Sequence, residues 1–280
     1  MASQSLARRR FRALIRLPEP QLSLAEAALC IAWEDQELDP RPEPLATLDE
    51  FAQQVQPRLR GIRTPSEQVA TLNAFLFDEL HFGGNAANYA DPANSFLDRV
   101  LDARTGLPIT LAVVYLEVAW RLGLPLVGLA LPGHFLVRYP TSEGDLIIDP
   151  FHRGRLWSSD ECAKHVAQYF GSASSLIMER VMQAPTKQQI LARMLRNLKN
   201  VYLERALYAK ALGVVERLVM LEPDEATELR DRGLLRGRVG QLHSALEDLD
   251  RYAHLRPEAA ELETLRLHAR AIAAKLIAGN

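Results

Sequence analysis

Three kinds of apolar spacing follow one another along the chain. In the first stretch, apolar positions recur every three to four residues, the helical period. One helix opens at Leu22-Ser23-Leu24-Ala25-Glu26 and runs through Ile31. A second starts at Thr64-Pro65-Ser66-Glu67, where Thr64 caps, Pro65 suits the first helical position and Glu67 reaches back to close a capping box. It carries Leu72, Phe75, Leu76 and Leu80 and stops at Gly83-Gly84-Asn85. Asp91-Pro92 marks a third start, leading into Phe96, Leu97, Val100 and Leu101. From Pro108 to a Gly123 stop, apolar residues stand on every side, and Glu117 interrupts the run from Leu111 to Trp120. Such a helix is predicted to be buried all round.

The second kind of spacing is strand-like. Leu126 to Leu131, Phe135 to Tyr139 and Leu146 to Ile148 are short apolar runs, punctuated by Gly133, Pro140, Ser142 and Gly144. A helix over Ser158 to Phe170 follows. Helices packed on a small antiparallel sheet make this part α+β.

After Pro185 only helical spacing remains, and it repeats. Tyr208, Ala211, Leu212, Val215, Leu218 and Val219 form one apolar stripe; 34 residues on stand Leu242, Ala245, Leu246, Leu249, Tyr252 and Ala253. Pro223 shifts to Pro257 and Leu195 to Leu229. Period and Ala/Pro placement resemble tetratricopeptide repeats, helix pairs that bury their faces only against neighbours. A last helix over Glu258 to Ile277 is expected to cap the stack. The chain therefore divides into a flexible basic arm over residues 1–20 carrying Arg8, Arg9, Arg10 and Arg12, an α+β domain over 21–184 and an all-α repeat domain over 185–280.

Composition narrows the function. With 280 residues, 48% hydrophobic and 24% charged, two domains with proper cores are possible. A net charge of −2 argues against nucleic acid as a partner. No apolar run approaches membrane-spanning length, and Leu14-Ile15-Arg16-Leu17-Pro18 is too short and charged for an export signal. Two cysteines, Cys30 and Cys162, suggest neither a disulfide framework nor a zinc site, and a reducing cytoplasm is the expected compartment.

Chemistry-bearing side chains gather between Asn94 and His152: Asn94, Arg104, Thr105, Thr110, His134, Asp149 and His152, set among apolar residues. His134 opens one strand and Asp149 closes a later one, so adjacent antiparallel strands can bring them together. An aspartate beside a histidine fixes its tautomer and supports its imidazolium, as in nucleophilic triads; the same pair also serves as a plain structural hydrogen bond. A metal on His134, Asp149 and His152 is chemically reasonable, although the sequence shows no tight ligand spacing.

A buried helix, then Gly123-Leu124-Pro125, a strand with His134 and a strand ending in Asp149-Pro150 resembles the transglutaminase-like superfamily of papain-like cysteine enzymes. In that superfamily a cysteine starts the helix, where the helix N-terminus and a histidine support its thiolate. Here its place falls on Pro108, or on Ile109 with a one-residue slip. Neither is a nucleophile, and proline lacks the N–H that would help bind an oxyanion. Asn94-Ser95-Phe96-Leu97, Arg104-Thr105-Gly106-Leu107-Pro108-Ile109-Thr110-Leu111, Pro132 to Tyr139, Ile148-Asp149-Pro150-Phe151, Asn197-Leu198-Lys199 and Arg230 to Leu235 are similar to the bacterial SirB-type family, which joins a transglutaminase-like core to tetratricopeptide repeats. In that family pattern the cysteine position is empty too.

The resemblance implies a transglutaminase-like helix-on-antiparallel-sheet domain followed by repeats. With Pro108-Ile109 where a thiol should be, the leading expectation is a non-catalytic protein that acts through protein–protein interaction, with regulation as one use of it. The resemblance sets the remnant pair His134–Asp149 near the N-terminal end of the Pro108 helix, with Asn94 and Arg104 bracing loops around the old cleft. No cofactor or metal is expected on this reading, and the partner is a protein held by the repeats. The alternative is a hydrolase or acyltransferase that uses His134–Asp149 with an unorthodox nucleophile (Cys162, Cys30, Thr105 or Thr110) or with a metal.

Overall fold

The computed structural model describes residues 6–38, 41–172 and 174–278. Two compact units make up the chain, Met1–Met194 and Leu195–Asn280.

The first unit opens with helix α1, Leu6–Leu14, whose Ala7, Phe11 and Leu14 are buried. This corrects the expectation of a flexible basic arm for residues 6–14. Two of the arginines flank this face: Arg8 binds Glu34 at 2.5 Å and Arg10 binds Glu26 at 2.7 Å, both on helix α2, Leu24–Asp35. Residues 1–5 of that arm lie outside the described residues. Ser23 caps α2 by accepting from the Glu26 N–H. Helix α3, Glu43–Val55, was not identified from the sequence; its apolar face is Leu48, Phe51, Ala52 and Val55.

Helix α4, Pro65–Asn73, begins at the Thr64 cap and then widens into a π-helical turn, Ala74–Glu79. That turn ends the helix, and Gly83–Gly84 is strand β1 rather than a stop signal. It pairs in parallel with β2, Thr105–Gly106. Asp91-Pro92 starts a 3-10 turn, Pro92–Ser95, and not one continuous helix. Phe96 is extended (φ −99, ψ 118) and breaks it from α5, Leu97–Ala103.

Helix α6, Pro108–Arg121, is buried from Pro108 through Ala119. Its buried acid is explained by the neighbouring helix: Glu117 Oε1 accepts the Ala25 N–H of α2 at 2.8 Å, and Glu117 also binds Arg121. A carboxylate at a helix N-terminus satisfies orphan donors and the helix dipole together.

The sheet has four antiparallel strands in sequential order: β3, Val127–Leu131; β4, His134–Tyr139; β5, Leu146–Asp149; and β6, Arg155–Trp157. The short, exposed β6 had no apolar run to announce it. Leu129, Leu131, Leu136 and Ile147 pack with Cys162 and Val166 of helix α7, Ser159–Phe170. Ile177, Met178 and Val181 of α8, Ser175–Val181, pack against the same cluster.

Helix α9, Lys187–Glu204, crosses the division between the units. The second unit continues with α10, Tyr208–Leu221; α11, Ala226–Arg238; α12, Leu242–Leu255; and α13, Leu262–Ala278. Among its described residues there is no strand. The repeat extends to the backbone. Helices α10 and α12 are entered through Leu207 (φ −83, ψ 63) and Gln241 (φ −83, ψ 62), preceded by left-handed Ala206 and Gly240. Gly233 of α11 lets α12 approach: a Cβ there would lie 2.9 Å from Leu249 and 3.2 Å from the Ala245 carbonyl.

The family-like Lys199 and Arg230-to-Leu235 stretch holds this stack together. Lys199 Nζ binds Glu228 at 2.9 Å and Asp231 at 2.8 Å, and Arg196 also reaches Glu228 at 2.9 Å. Arg232 and Arg236 both bind the buried Asp248 of α12, at 2.6 and 2.8 Å.

Candidate functional site

The sheet's hydrogen-bond register decides where the candidate residues point. His134 pairs with Leu131 across β3 and β4, and Ile147 pairs with Trp157 across β5 and β6. Alternation puts His134 on the face of Leu136 and Asp149 on the face of Ile147, the face that packs on α7. His134 Nε2 then donates to Asp149 Oδ2 at 2.8 Å.

Asp149 is wholly buried and heavily solvated by protein groups. Its Oδ1 accepts the backbone N–H groups of Phe151 (3.0 Å) and His152 (3.2 Å). Its Oδ2 accepts from His134, from His152 Nδ1 at 2.8 Å and from Trp157 Nε1 at 3.1 Å. Burial pushes this carboxyl upward, but the hydrogen bond and charge of His134, with those of His152, outweigh it and hold it below the usual range.

The His134 ring stacks on Trp157 (centroids 5.7 Å, interplanar angle 27°) and has His152, Phe151 and His165 around it at 5.9, 6.3 and 6.3 Å. His165 of α7 donates Nε2–H to the Pro132 carbonyl at 2.8 Å, since a carbonyl can only accept. Tyr169, one helical turn on, lies over Gly133, where a Cβ would stand 2.1 Å from its hydroxyl; Gly133 also has φ +67. Glycine is required there on both counts. Arg193 clamps the same turn, donating to the Leu131 and His134 carbonyls at 2.7 Å each, and burial lowers its pKa against the pull of Tyr89 and Tyr169.

The N-terminal end of α6, where the resemblance set the pair, is tied to this cluster through β1. Gly84 N–H donates to the Phe151 carbonyl at 2.9 Å while Gly84 pairs with Gly106. Pro108 occupies the first position of α6. Thr110 is buried, with its hydroxyl engaged: Oγ1 accepts the Leu107 N–H at 3.0 Å and donates to the Asn94 carbonyl at 2.7 Å. Thr105 lies in β2. Asn94 braces the preceding loop, with Nδ2 on the Asn88 and Tyr89 carbonyls and Oδ1 taking Asn85. Arg104 is left-handed (φ 59), its guanidinium lies 4.8 Å from the rings of Phe51 and Phe82, and burial lowers its pKa.

Neither thiol approaches catalytic form. Cys162 is buried among Leu131, Leu136 and Val166, and burial, with the Glu161 charge added, pushes it up to about 11. Cys30 is buried in α2.

Trp157, His165, Tyr169 and Arg193 were not singled out from the sequence. His165 and Tyr169 are a helical turn apart on a face that reads as solvated. Arg193 carried a usable signal, being one cation within the buried run Ile190, Leu191, Ala192, Met194 and Leu195.

A transglutaminase-like superfamily model matches residues 43–196, more than half the chain, and a tetratricopeptide-repeat model matches residues 198–270. The chain belongs to the transglutaminase-like superfamily. Similar proteins match over most of the chain's length. A UPF0162 protein of Xylella fastidiosa is 38% identical over 72% of each chain. Protein SirB1 of Salmonella typhimurium is 28% identical over 82% of this chain and 85% of its own. A UPF0162 protein of Pseudomonas aeruginosa is 32% identical over 82% and 83%. Among the described residues no helix is long and apolar enough to cross a membrane.

Proposed function

We propose that this transglutaminase-like protein is non-catalytic and acts as a scaffold, its repeats capturing a protein partner in a regulatory setting. The observation that carries the reading is Pro108 at the first position of α6, where the superfamily places its cysteine. That residue offers neither a nucleophile nor an N–H for an oxyanion. The remaining thiols give no substitute, since Cys162 is protonated at neutral pH and closed in by apolar side chains. The hydroxyl of Thr110 is spent inside the fold. On this reading His134–Asp149 is a strand-to-strand tie.

Capture is assigned to the second unit. Between α11 and α13 runs a groove of about 610 Å³ whose floor is Leu234, Leu265 and Ile272 and whose rim includes Arg230, Arg238 and His268. Tetratricopeptide stacks use their extended faces for such contacts.

The test of the non-catalytic half is direct. The native chain is incubated with a thioester acyl donor and an amine acceptor, and its intact mass is followed. The expected result is an unmodified protein and no amide product beyond the uncatalysed rate. Stoichiometric acylation of Cys162 or Cys30, or turnover lost in His134→Ala, contradicts the proposal.

A further inference from the structure

The hydrogen bonds around Asp149 contain a mismatch. Oδ2 faces three nitrogen donors: Trp157 Nε1, His134 Nε2 and His152 Nδ1. A carboxylate oxygen offers about two lone-pair sites, and an indole N–H can only donate. Once Trp157 has taken one site, two imidazole nitrogens converge on the other. Two rings aimed at one remaining site make a crowded hydrogen-bond trio. The same convergence is what a cation needs.

We propose that His134, Asp149 and His152 form a binding site for a zinc-class divalent cation. The three candidate ligand atoms all lie within 4.8 Å of one another, and both imidazole nitrogens are 2.8 Å from Oδ2. In a tetrahedral zinc site with bonds of about 2.0–2.2 Å, ligand atoms stand about 3.4 Å apart. To take the ion, each imidazole nitrogen therefore retreats from Oδ2 by about 0.6 Å, and the two nitrogens, at most 4.8 Å apart, close on one another by up to about 1.4 Å. Two imidazoles and one carboxylate suit zinc and its borderline neighbours and are a poor set for magnesium or calcium, which take oxygen ligands.

The surroundings are arranged as a metal's outer shell is. Asp149 keeps its two backbone donors on Oδ1 and its indole donor on Oδ2, which hold the carboxylate plane fixed. His134 is stacked against Trp157 and nearly buried, whereas the His152 side chain is 56% exposed and provides the entry path. His165 is not a ligand in this arrangement, because its Nε2 is committed to Pro132. The inference is about ion binding and stands whether or not the domain catalyses anything.

The test uses the full chain without an affinity tag, dialysed against chelator. Zinc is titrated by competition with a chromophoric chelator, and cobalt by its visible absorption. The expected result is one tightly held equivalent of either ion, not displaced by millimolar magnesium. His134→Ala risks the fold, so the half-exposed His152→Ala decides: it should keep the circular dichroism spectrum and weaken zinc binding by about 100-fold or more, at the upper end of what even outer-shell changes produce. The exposed His243→Ala on α12 is the control and should bind like the parent. Absence of zinc uptake, or uptake unchanged in His152→Ala, overturns the proposal and leaves the trio as a hydrogen-bonded strand tie.

Discussion

Asp149 is the residue on which the centre of the first unit turns, and its protonation gives a signed prediction. Its folded carboxyl is held below the ordinary value by His134 and His152 against the effect of burial. A depressed carboxylate stabilises the fold above the unfolded value, about 3.9, and that stability is lost as pH falls through the folded value. Thermal melts from pH 7 to pH 3 should therefore drop steeply below about pH 4, and His134→Ala should flatten the drop. The same substitution should cost about 1–3 kcal/mol at neutral pH, for a buried hydrogen bond broken to a charged partner. A neutral-pH melting temperature unmoved by His134→Ala contradicts this role. At the residue scale much of the site was legible. His134 and Asp149 stand out because strand ends bring polar groups to a shared edge, and Pro108 because a helix start is readable. The three-way crowding at Oδ2 was not legible: it depends on Trp157 in a short strand with no periodicity and on a turn that swings His152 back.

At the scale of elements, the strongest periodicities were right, and what was missed was the short pieces and helix α3, Glu43–Val55. The 34-residue stripe predicted α10 and α12, and even the entry dihedrals of Leu207 and Gln241 coincide. The repeat helices declare themselves because the same burial pattern recurs from one to the next. The Gly83–Gly84 strand does not, since its partner Thr105–Gly106 is distant in sequence, nor does the π turn at Ala74–Glu79, whose apolar spacing reads as ordinary helix. Helix α1 read as a loose arm because its arginines dominate, yet Ala7, Phe11 and Leu14 give it a buried face. The repeat helices also carry buried charge, and this supports a prediction. Glu228 is 2% exposed and holds both Lys199 and Arg196. Glu228→Ala should destabilise the second unit by about 1–3 kcal/mol, because Lys199 and Arg196 each lose one buried charged partner while Lys199 keeps Asp231 and Arg196 keeps Glu222. Hydrogen exchange resolved over residues 195–278 checks it; protection there equal to the parent's contradicts it.

At the scale of the whole molecule the proposal is a division of labour in which the repeats do the binding and the transglutaminase-like domain does no catalysis. Affinity capture from lysate, quantified by mass spectrometry beside thermal melts, tests it with three proteins. His134→Ala lies in the domain and lowers stability. Arg238→Glu combined with His268→Glu lies on the exposed rim of the α11–α13 groove and should lower stability by about 1–2 kcal/mol, for the lost cation–π contact of Arg238 with Tyr208 and an acid placed in the last turn of α11. The account predicts that folded His134→Ala retains the parent's partner set while the rim variant loses about tenfold or more of it, roughly 1.4 kcal/mol of binding. Capture abolished by His134→Ala at a temperature where it remains folded, with the rim variant unaffected, contradicts the account.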